Sequence, residues 1–133
     1  MVILKNSKVL VTGGAGFIGI NLIQRLLDMG THVRATLYEK EPVIVDERIE
    51  YFKGDLREAN FCRKVVEGID YVFMCAANTS GAQVMATTPL VHLTPNILMN
   101  MQMLEASYGA KVKKFLFIST NTVYPLTNFP VKE

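Results

Sequence analysis

Apolar residues along the chain form short continuous runs that alternate with longer segments of helical spacing. The run at 8–12 ends at glycines, and the apolar residues after it recur at helical intervals, at Ile18, Leu22, Ile23, Leu26 and Leu27. This pattern predicts a strand, a turn and a helix. Gly30 is expected to end the helix in the left-handed conformation, and a second strand is predicted at 32–37.

The alternation continues through the middle of the chain. A polar stretch at 38–47 predicts a loop in which 43–45 stay unassigned, and a third strand is predicted at 49–53. A helix follows at 58–67, and the next apolar run, at 71–76, has no polar alternation. Such a run is typical of a strand buried on both faces, as in parallel sheets.

The last third of the chain predicts a loop, a long helix and a fifth strand. Residues 77–89 are rich in Thr, Ser, Gly and Asn, which indicates a loop. Pro89 opens a helix to about Tyr108 that Pro95 is expected to kink, and 114–119 predicts the strand. The apolar positions of that helix are Ile97, Leu98, Met101 and Leu104. With right-handed crossovers the elements form one α/β domain over 1–133, a doubly wound parallel sheet of order 3-2-1-4-5, the Rossmann fold.

Composition and charge narrow the function classes. Half of the 133 residues are hydrophobic, which fits a single domain with a core, and a net charge of +2 gives no basic surface for nucleic acid. Cys62, Cys75, His32 and His92 have no metal-ligand spacing, so no metal is expected, and the two thiols are predicted to be buried. No signal peptide or membrane span is visible, so we expect a cytoplasmic protein without a membrane partner.

The strongest chemical motif is the segment 12–19, Thr-Gly-Gly-Ala-Gly-Phe-Ile-Gly, between the first strand and the first helix. Glycines allow a tight turn and a close approach of the backbone to a pyrophosphate, while the helix N-terminus supplies N–H groups and a positive dipole end. The motif predicts a dinucleotide site with Gly13, Gly16, Phe17, Ile18 and Gly19 at the cofactor. A glycine-rich turn without a ligand is the alternative.

Further motifs occur in register with these glycines. They are Gly54-Asp55-Leu56, Phe73-Met74-Cys75-Ala76-Ala77, Pro89-Leu90 with Asn96, Leu104-Glu105-Ala106, and the segment 117–125 ending in Val-Tyr-Pro. Together they resemble the N-terminal part of the extended short-chain dehydrogenase/reductase superfamily, in its NAD-dependent epimerase/dehydratase family, which acts on nucleotide sugars. Within that family the chain resembles the GDP-fucose synthase and dihydroflavonol-reductase branches.

The resemblance implies roles for individual residues. Those implied to hold the cofactor are Asp55, Leu56, Ala76, Ala77, Asn96 and Ser119. It implies that Thr120 is catalytic and bonds the substrate oxygen during hydride transfer. Each polar residue also has a local alternative, because Asp55 could cap a turn, Asn96 could satisfy backbone near Pro95, and Thr120 could bond backbone at a strand end.

The chain also departs from that family. A threonine, Thr122, stands where the fucose synthase branch has an epimerising cysteine, and no Tyr-x-x-x-Lys pair occurs, with Tyr124 in another motif and Lys132 too near the end. We therefore expect a fragment truncated after the fifth strand, unable to transfer hydride alone. Its open sheet edge predicts self-association, and the intact protein is expected to be a homo-oligomer with a nucleotide-sugar substrate.

The end of the second strand bears on the choice between NAD and NADP. An acid about 20 residues beyond the glycines would hold the ribose 2′-hydroxyl of NAD. Here the strand ends in Thr36-Leu37-Tyr38 without that acid, and Glu39 comes one or two places late. Tyr38 stands where the dihydroflavonol-reductase branch has its phosphate-binding arginine, while Arg34 and Lys40 could neutralise a 2′-phosphate or be solvated. The balance favours NADP over NAD. A dinucleotide-sensing regulatory protein is the rival interpretation, and a methyltransferase lacks the acid it requires at this strand.

Overall fold

A computed structural model describes residues 4–79, 81–120, 124–125 and 127–130. In chain order the elements are β1 (Lys8–Val11), α1 (Phe17–Asp28), β2 (His32–Leu37), β3 (Ile49–Lys53), α2 (Ala59–Val66), β4 (Tyr71–Met74), α3 (Ala82–Thr87), α4 (Leu90–Gly109) and β5 (Lys114–Phe117). The strands pair in parallel in the order β3-β2-β1-β4-β5. The predicted doubly wound topology is confirmed.

The central strand β1 supplies side chains to two cores, because successive side chains of a strand point to opposite faces. Val9 and Val11 pack with the buried side of α1, while Leu10 packs with α2, β4 and α4. All three are fully buried. The sheet is therefore the middle layer of three, with α1 on one face and α2 and α4 on the other.

Two glycines end their elements as predicted. Gly30 follows α1 with φ +75° and Gly68 follows α2 with φ +71°, both in the left-handed region. That conformation costs glycine nothing and costs other residues about 1 kcal/mol or more. These turns send the chain back into β2 and β4.

The prediction of a continuous loop at 77–89 is wrong, because α3 lies within it. The helix holds good helix formers between Gly81 and two threonines, and those threonines bond backwards to carbonyls one turn earlier. Thr87 Oγ1 donates to the Gln83 carbonyl at 2.9 Å, and Thr88 Oγ1 to that of Val84 at 3.2 Å. Gly81 and the two threonines, which indicated a loop, thus flank or cap one short helix.

Helix α4 contacts the sheet through other residues than its apolar pattern indicates. Met103, Ala106 and Ser107 are its buried residues. The positions singled out from the sequence, Ile97, Leu98, Met101 and Leu104, are 43–60% exposed. The helix therefore has apolar residues on both sides, and its outer side is left uncovered by the described residues.

Strands β1, β4 and β5 each end one or two residues before the predicted limit. The cause at β4 is the buried hydroxyl of Thr12, which accepts the backbone N–H groups of Cys75 and Ala76, both at 3.0 Å. A side chain thus replaces the strand ladder where the chain turns away. This leaves irregular backbone at the carboxyl edge of the sheet, where parallel sheets bind their ligands.

Both cysteine thiols are shielded from solvent. Cys62 is fully buried and Cys75 half-buried, and burial raises the pKa of each to about 11.

Within the described ranges no helix is long and apolar enough to cross a membrane. In the same ranges, no group of His, Cys, Asp or Glu side chains could hold a metal ion.

Candidate cofactor-binding site

The glycine loop between β1 and α1 is fixed to the neighbouring strand. The N–H of Gly13 donates to Thr36 Oγ1 at 3.1 Å, and the N–H of Gly14 to the Thr36 carbonyl at 2.8 Å. Gly16 N–H closes the turn onto the Gly13 carbonyl at 2.9 Å. The loop is therefore tied to the end of β2 before any ligand binds.

Close approaches explain why glycine is required here. Gly13 has φ +69°, and a Cβ on it would lie 3.0 Å from the Ala76 Cα. A Cβ on Gly19 would overlap the carbonyl oxygen of Gly13 and lie 3.1 Å from the Gly14 Cα. Glycine at position 19 therefore lets the start of α1 pack closely against the loop itself.

The N-terminus of α1 opens from this loop. Gly16 is the N-cap and has no side chain to bond the first N–H groups, and the first turn contains no acidic residue. Unpaired N–H groups and the positive end of the helix dipole favour an anion. Phe17 and Ile18 of this turn are 85% and 46% exposed. The geometry suits a pyrophosphate group on backbone N–H groups beside an apolar surface.

Thr12 links this loop to the loop after β4. Its fully buried hydroxyl donates to the Met74 sulfur at 3.2 Å in addition to accepting two N–H groups. Ala76, expected at the cofactor together with Ala77, therefore lies beside Gly13. Thr12 belongs to the motif, but no local feature of the sequence showed that its hydroxyl bonds residues that are 62 to 64 positions later in the chain.

Asp55 and Leu56 follow β3 at the same edge, and they differ in exposure. Leu56 is buried in the core under α2. The Asp55 carboxylate accepts the Arg57 N–H at 2.9 Å and the Arg57 guanidinium. Hydrogen bonding from the Arg57 side chain holds the pKa of this carboxyl below its usual value. The turn-capping alternative thus describes its contacts in the structure.

Arg34 lies away from this edge, which corrects the prediction that it could neutralise a 2′-phosphate. Its guanidinium donates to the carbonyls of Val65 and Glu67 at 3.0 and 2.9 Å and pairs with Glu50 at 2.8 Å. Those carbonyls end α2, at the opposite edge of the sheet. Arg34 has a structural role there, since a cation stabilises a helix C-terminus.

Asn96 reaches the loop after β4 from α4. Its Oδ1 accepts the N–H of Asn78 at 2.8 Å, and its Nδ2 donates to the carbonyls of Asn78 and His92 at 2.9 and 2.8 Å. His92 Nδ1 lies 3.3 Å from the same Asn78 carbonyl. The Asn96 amide is thus engaged with protein, which matches the alternative of a residue that satisfies backbone.

Ser119 and Thr120 follow β5, next to the end of β4, and both are exposed. The structure therefore brings the glycine loop, Asp55, the Ala76-Ala77 segment and this pair to one edge. The predictions for Thr122 and Lys132 concern positions outside the described residues. Arg57 and Thr36 were missed from the sequence, because isolated Arg and Thr residues carry no motif.

Comparison with known proteins gives the family. Residues 9–133 match the family model of the NAD dependent epimerase/dehydratase family. The chain therefore belongs to this family, as its motifs indicated.

Individual relatives differ in what they act on. A 3 beta-hydroxysteroid dehydrogenase/Delta 5-->4-isomerase of Mycobacterium tuberculosis is 36% identical over 121 residues, covering 87% of this chain and 32% of the relative. GDP-mannose 3,5-epimerase of Arabidopsis thaliana is 31% identical over 137 residues, covering 97% and 36%. The chain spans about a third of the length of these curated relatives.

A solved structure extends the likeness to the fold. UDP-N-acetylglucosamine 4-epimerase from Methanobrevibacter ruminantium M1, in complex with UDP-N-acetylmuramic acid, matches with a TM-score of 0.83 and 32% identity. The match covers 97% of this chain and 43% of that one.

Proposed function

We propose that this chain binds NAD or NADP along the carboxyl edge of its sheet and forms the cofactor-binding part of an enzyme that acts on a nucleotide sugar. The observation that carries the proposal is the glycine loop fixed to Thr36, with the uncapped N-terminus of α1 opening beside it. At this helix end the backbone N–H groups lie beside the glycine loop, the arrangement in which a helix N-terminus binds a phosphate group.

The rest of the edge fits the two halves of a dinucleotide. Asp55 lies beyond β2 on the side of β3, which suits the adenosine half, while Ala76, Ala77 and the Ser119-Thr120 pair lie on the side of β4 and β5. The nicotinamide supplies hydride transfer when it is bound. Thr120, a hydroxyl at the open edge, is proposed to donate a hydrogen bond to the substrate oxygen, as the family resemblance implies.

The nucleotide-sugar part of the proposal rests on relatives. GDP-mannose and UDP-linked sugars appear in the names of two of the three proteins compared above, and a steroid substrate in the third. The sequence contains no Tyr-x-x-x-Lys, the pair that the family uses to move the proton. We therefore propose that these 133 residues bind the cofactor and do not turn over substrate by themselves.

The cofactor claim can be tested by fluorescence titration of the chain with NADH and NADPH. The diagnostic variant is Gly16→Ala, because its backbone angles, φ −85° and ψ 163°, suit alanine while its Cβ would lie 3.2 Å from the Gly13 carbonyl oxygen. Gly109→Ala, with nothing within 4 Å, is the matched control. Saturable binding weakened only by Gly16→Ala is expected. A folded chain that binds neither cofactor would contradict the proposal.

The substrate class requires a separate assay, on a longer protein that includes this chain. UDP-glucose, GDP-mannose and a 3β-hydroxysteroid would be offered with each cofactor, and product followed by chromatography. Conversion of a nucleotide sugar, reduced at least about tenfold by Thr120→Val through loss of a bond made to the reacting oxygen, is expected. Turnover of the steroid alone would refute the nucleotide-sugar assignment.

A further inference from the structure

The corner where β2 and β3 end holds an arginine that the glycine motif does not involve. Arg57, four residues after β3, lies over the ring of Tyr38, the first residue after β2, with its guanidinium carbon 5.9 Å from the ring centroid. Its Nη2 also donates to the Tyr38 hydroxyl at 3.2 Å. The guanidinium therefore covers the end of β2.

Asp55 fixes this guanidinium from one side and leaves another side open. Arg57 Nε donates to both Asp55 oxygens, at 3.0 and 2.8 Å, and Nη2 bonds the same carboxylate. No residue in the described ranges accepts a hydrogen bond from Nη1, and the side chain is 44% exposed. Arg57 is thus a hydrogen-bond donor held in one orientation, and its Nη1 group has no acceptor among the described residues.

The end of the second strand is the position that separates the two nicotinamide cofactors. In sheets of this topology an acid there bonds the ribose 2′-hydroxyl of NAD, and a nearby arginine accommodates the 2′-phosphate of NADP. The acid is absent because the position is Tyr38, and Arg34 points to the opposite edge. Arg57 is the arginine that the fold brings to this place.

We propose that Arg57, oriented by Asp55 and Tyr38, binds the 2′-phosphate of NADP and so makes this chain prefer NADP to NAD. The inference rests on the proposed cofactor function and adds a specificity residue from the turn after β3. Asp55 then acts as a positioning residue for Arg57, in addition to any contact with the cofactor.

Net attraction does not explain this preference. Glu39 and Lys40 are adjacent in sequence, Lys53 pairs with Glu41, Arg57 pairs with Asp55, and Glu58 also acts on Arg57, so the corner has no excess of positive charge. Recognition comes instead from directed hydrogen bonds, for which the planar guanidinium matches a phosphate. The preference should therefore persist at moderate salt, because close directed contacts are screened less than long-range attraction.

The test is calorimetric titration of the 133-residue chain with 2′,5′-ADP and with 5′-AMP, which differ only in the 2′-phosphate. The wild-type chain should bind 2′,5′-ADP about ten times or more tightly than 5′-AMP. Arg57→Gln should weaken 2′,5′-ADP binding by about 10- to 100-fold, the range for a lost charge-assisted hydrogen bond. Its affinity for 5′-AMP, which has no 2′-phosphate, should change by less than about threefold, since an exposed charge contributes little without a close partner.

Two further variants separate specificity from folding. Arg63→Gln removes an exposed arginine of α2 whose hydrogen-bond partner in the described part of the chain is Asn60, and it should change neither affinity. Tyr38→Phe keeps the ring and removes the hydroxyl, and should lower the preference for 2′,5′-ADP less than Arg57→Gln. Circular dichroism melts establish that each variant is folded.

The outcomes distinguish the inference from the proposed function. If the wild-type chain binds both nucleotides with equal affinity and also binds NADH and NADPH, the proposed role of Arg57 is wrong and the proposed cofactor site is unaffected. An Arg57→Gln variant that weakens both nucleotides equally also overturns it, since Arg57 would then only support the loop. Failure of the folded chain to bind any of the four ligands refutes the proposed function, and the inference falls with it.

Discussion

Replacing Gly19 by alanine adds one methyl group at the tightest contact of the glycine loop. The new Cβ would fall on the carbonyl oxygen of Gly13, well inside the 3.0 Å that Cβ atoms keep, and 3.0 Å from its carbonyl carbon. That same oxygen accepts the N–H of Gly16 and closes the turn. The neighbour is backbone and cannot rotate away, so the loop itself must move.

The expected magnitude follows from two opposing effects. Alanine in a helix interior is favoured over glycine by about 1 kcal/mol. Overpacking costs about 1–3 kcal/mol, and a backbone neighbour puts this case at the upper end. Gly19→Ala should therefore lower the free energy of unfolding by about 2 kcal/mol. With a urea dependence of about 1–3 kcal/mol per M, the midpoint falls by roughly 1 M.

The assay is urea unfolding followed by circular dichroism, with Gly109→Ala as the matched control. Gly109 ends α4 with nothing within 4 Å of an added Cβ, so the same substitution there should raise stability by up to about 1 kcal/mol. Opposite signs at the two glycines are the predicted result. A Gly19→Ala chain as stable as the wild type would refute the packing argument.

Other predictions address separate parts of the molecule. Ser107 Oγ is buried without a hydrogen-bond partner among the described residues. Ser107→Ala should therefore raise the free energy of unfolding by about 1 kcal/mol in urea titrations, and a lower free energy of unfolding would contradict this reasoning. Hydrogen bonding from Lys113, and then from the Lys8 N–H, lowers the pKa of Asp70, so its stabilisation is full above its unfolded pKa and lost as pH falls through the lower folded value. Asp70→Asn should therefore flatten the acid side of the stability profile below about pH 4, and an unchanged profile would contradict this. Asn96→Leu should weaken NAD(P)H binding more than Asn96→Asp does, because aspartate retains the acceptor for the Asn78 N–H. Equal NAD(P)H affinities of the wild type and both variants would exclude a role for Asn96 in holding that loop for the cofactor. Exposed Ile97 and Met101 on α4 should drive self-association, so the double change Ile97→Glu and Met101→Glu should lower the sedimentation coefficient without lowering the melting temperature.

The topology was predictable because it depends on features that recur along the sequence. Apolar runs, helical spacing and glycines such as Gly30 and Gly68 carry their meaning locally, and the strand order follows from the handedness of the crossovers. The glycine loop was predictable for the same reason. Its strand, turn and helix are consecutive in the chain.

The side-chain contacts of the site were not predictable, because they join distant segments. The alternation of side chains along β2 shows that Arg34 and Val33 point to opposite faces of the sheet. It does not show that the C-terminal carbonyls of α2 lie within hydrogen-bond distance of the Arg34 guanidinium. Arg57 and Thr12 act on residues 19 and more than 60 positions away. The buried side of α4 was predicted wrongly for a different reason. Apolar residues lie on both sides of this helix, so their spacing does not show which side packs against the sheet.

The most direct test of the central claim, that the carboxyl edge of the sheet is the dinucleotide site, is amide hydrogen exchange with and without saturating NADPH. Protection should concentrate at 13–19, 55–57 and 76–78. The residues at the opposite edge around Arg34 and Arg48 should exchange as before. Protection at that opposite edge, or none at the glycine loop while NADPH is bound, would contradict the account.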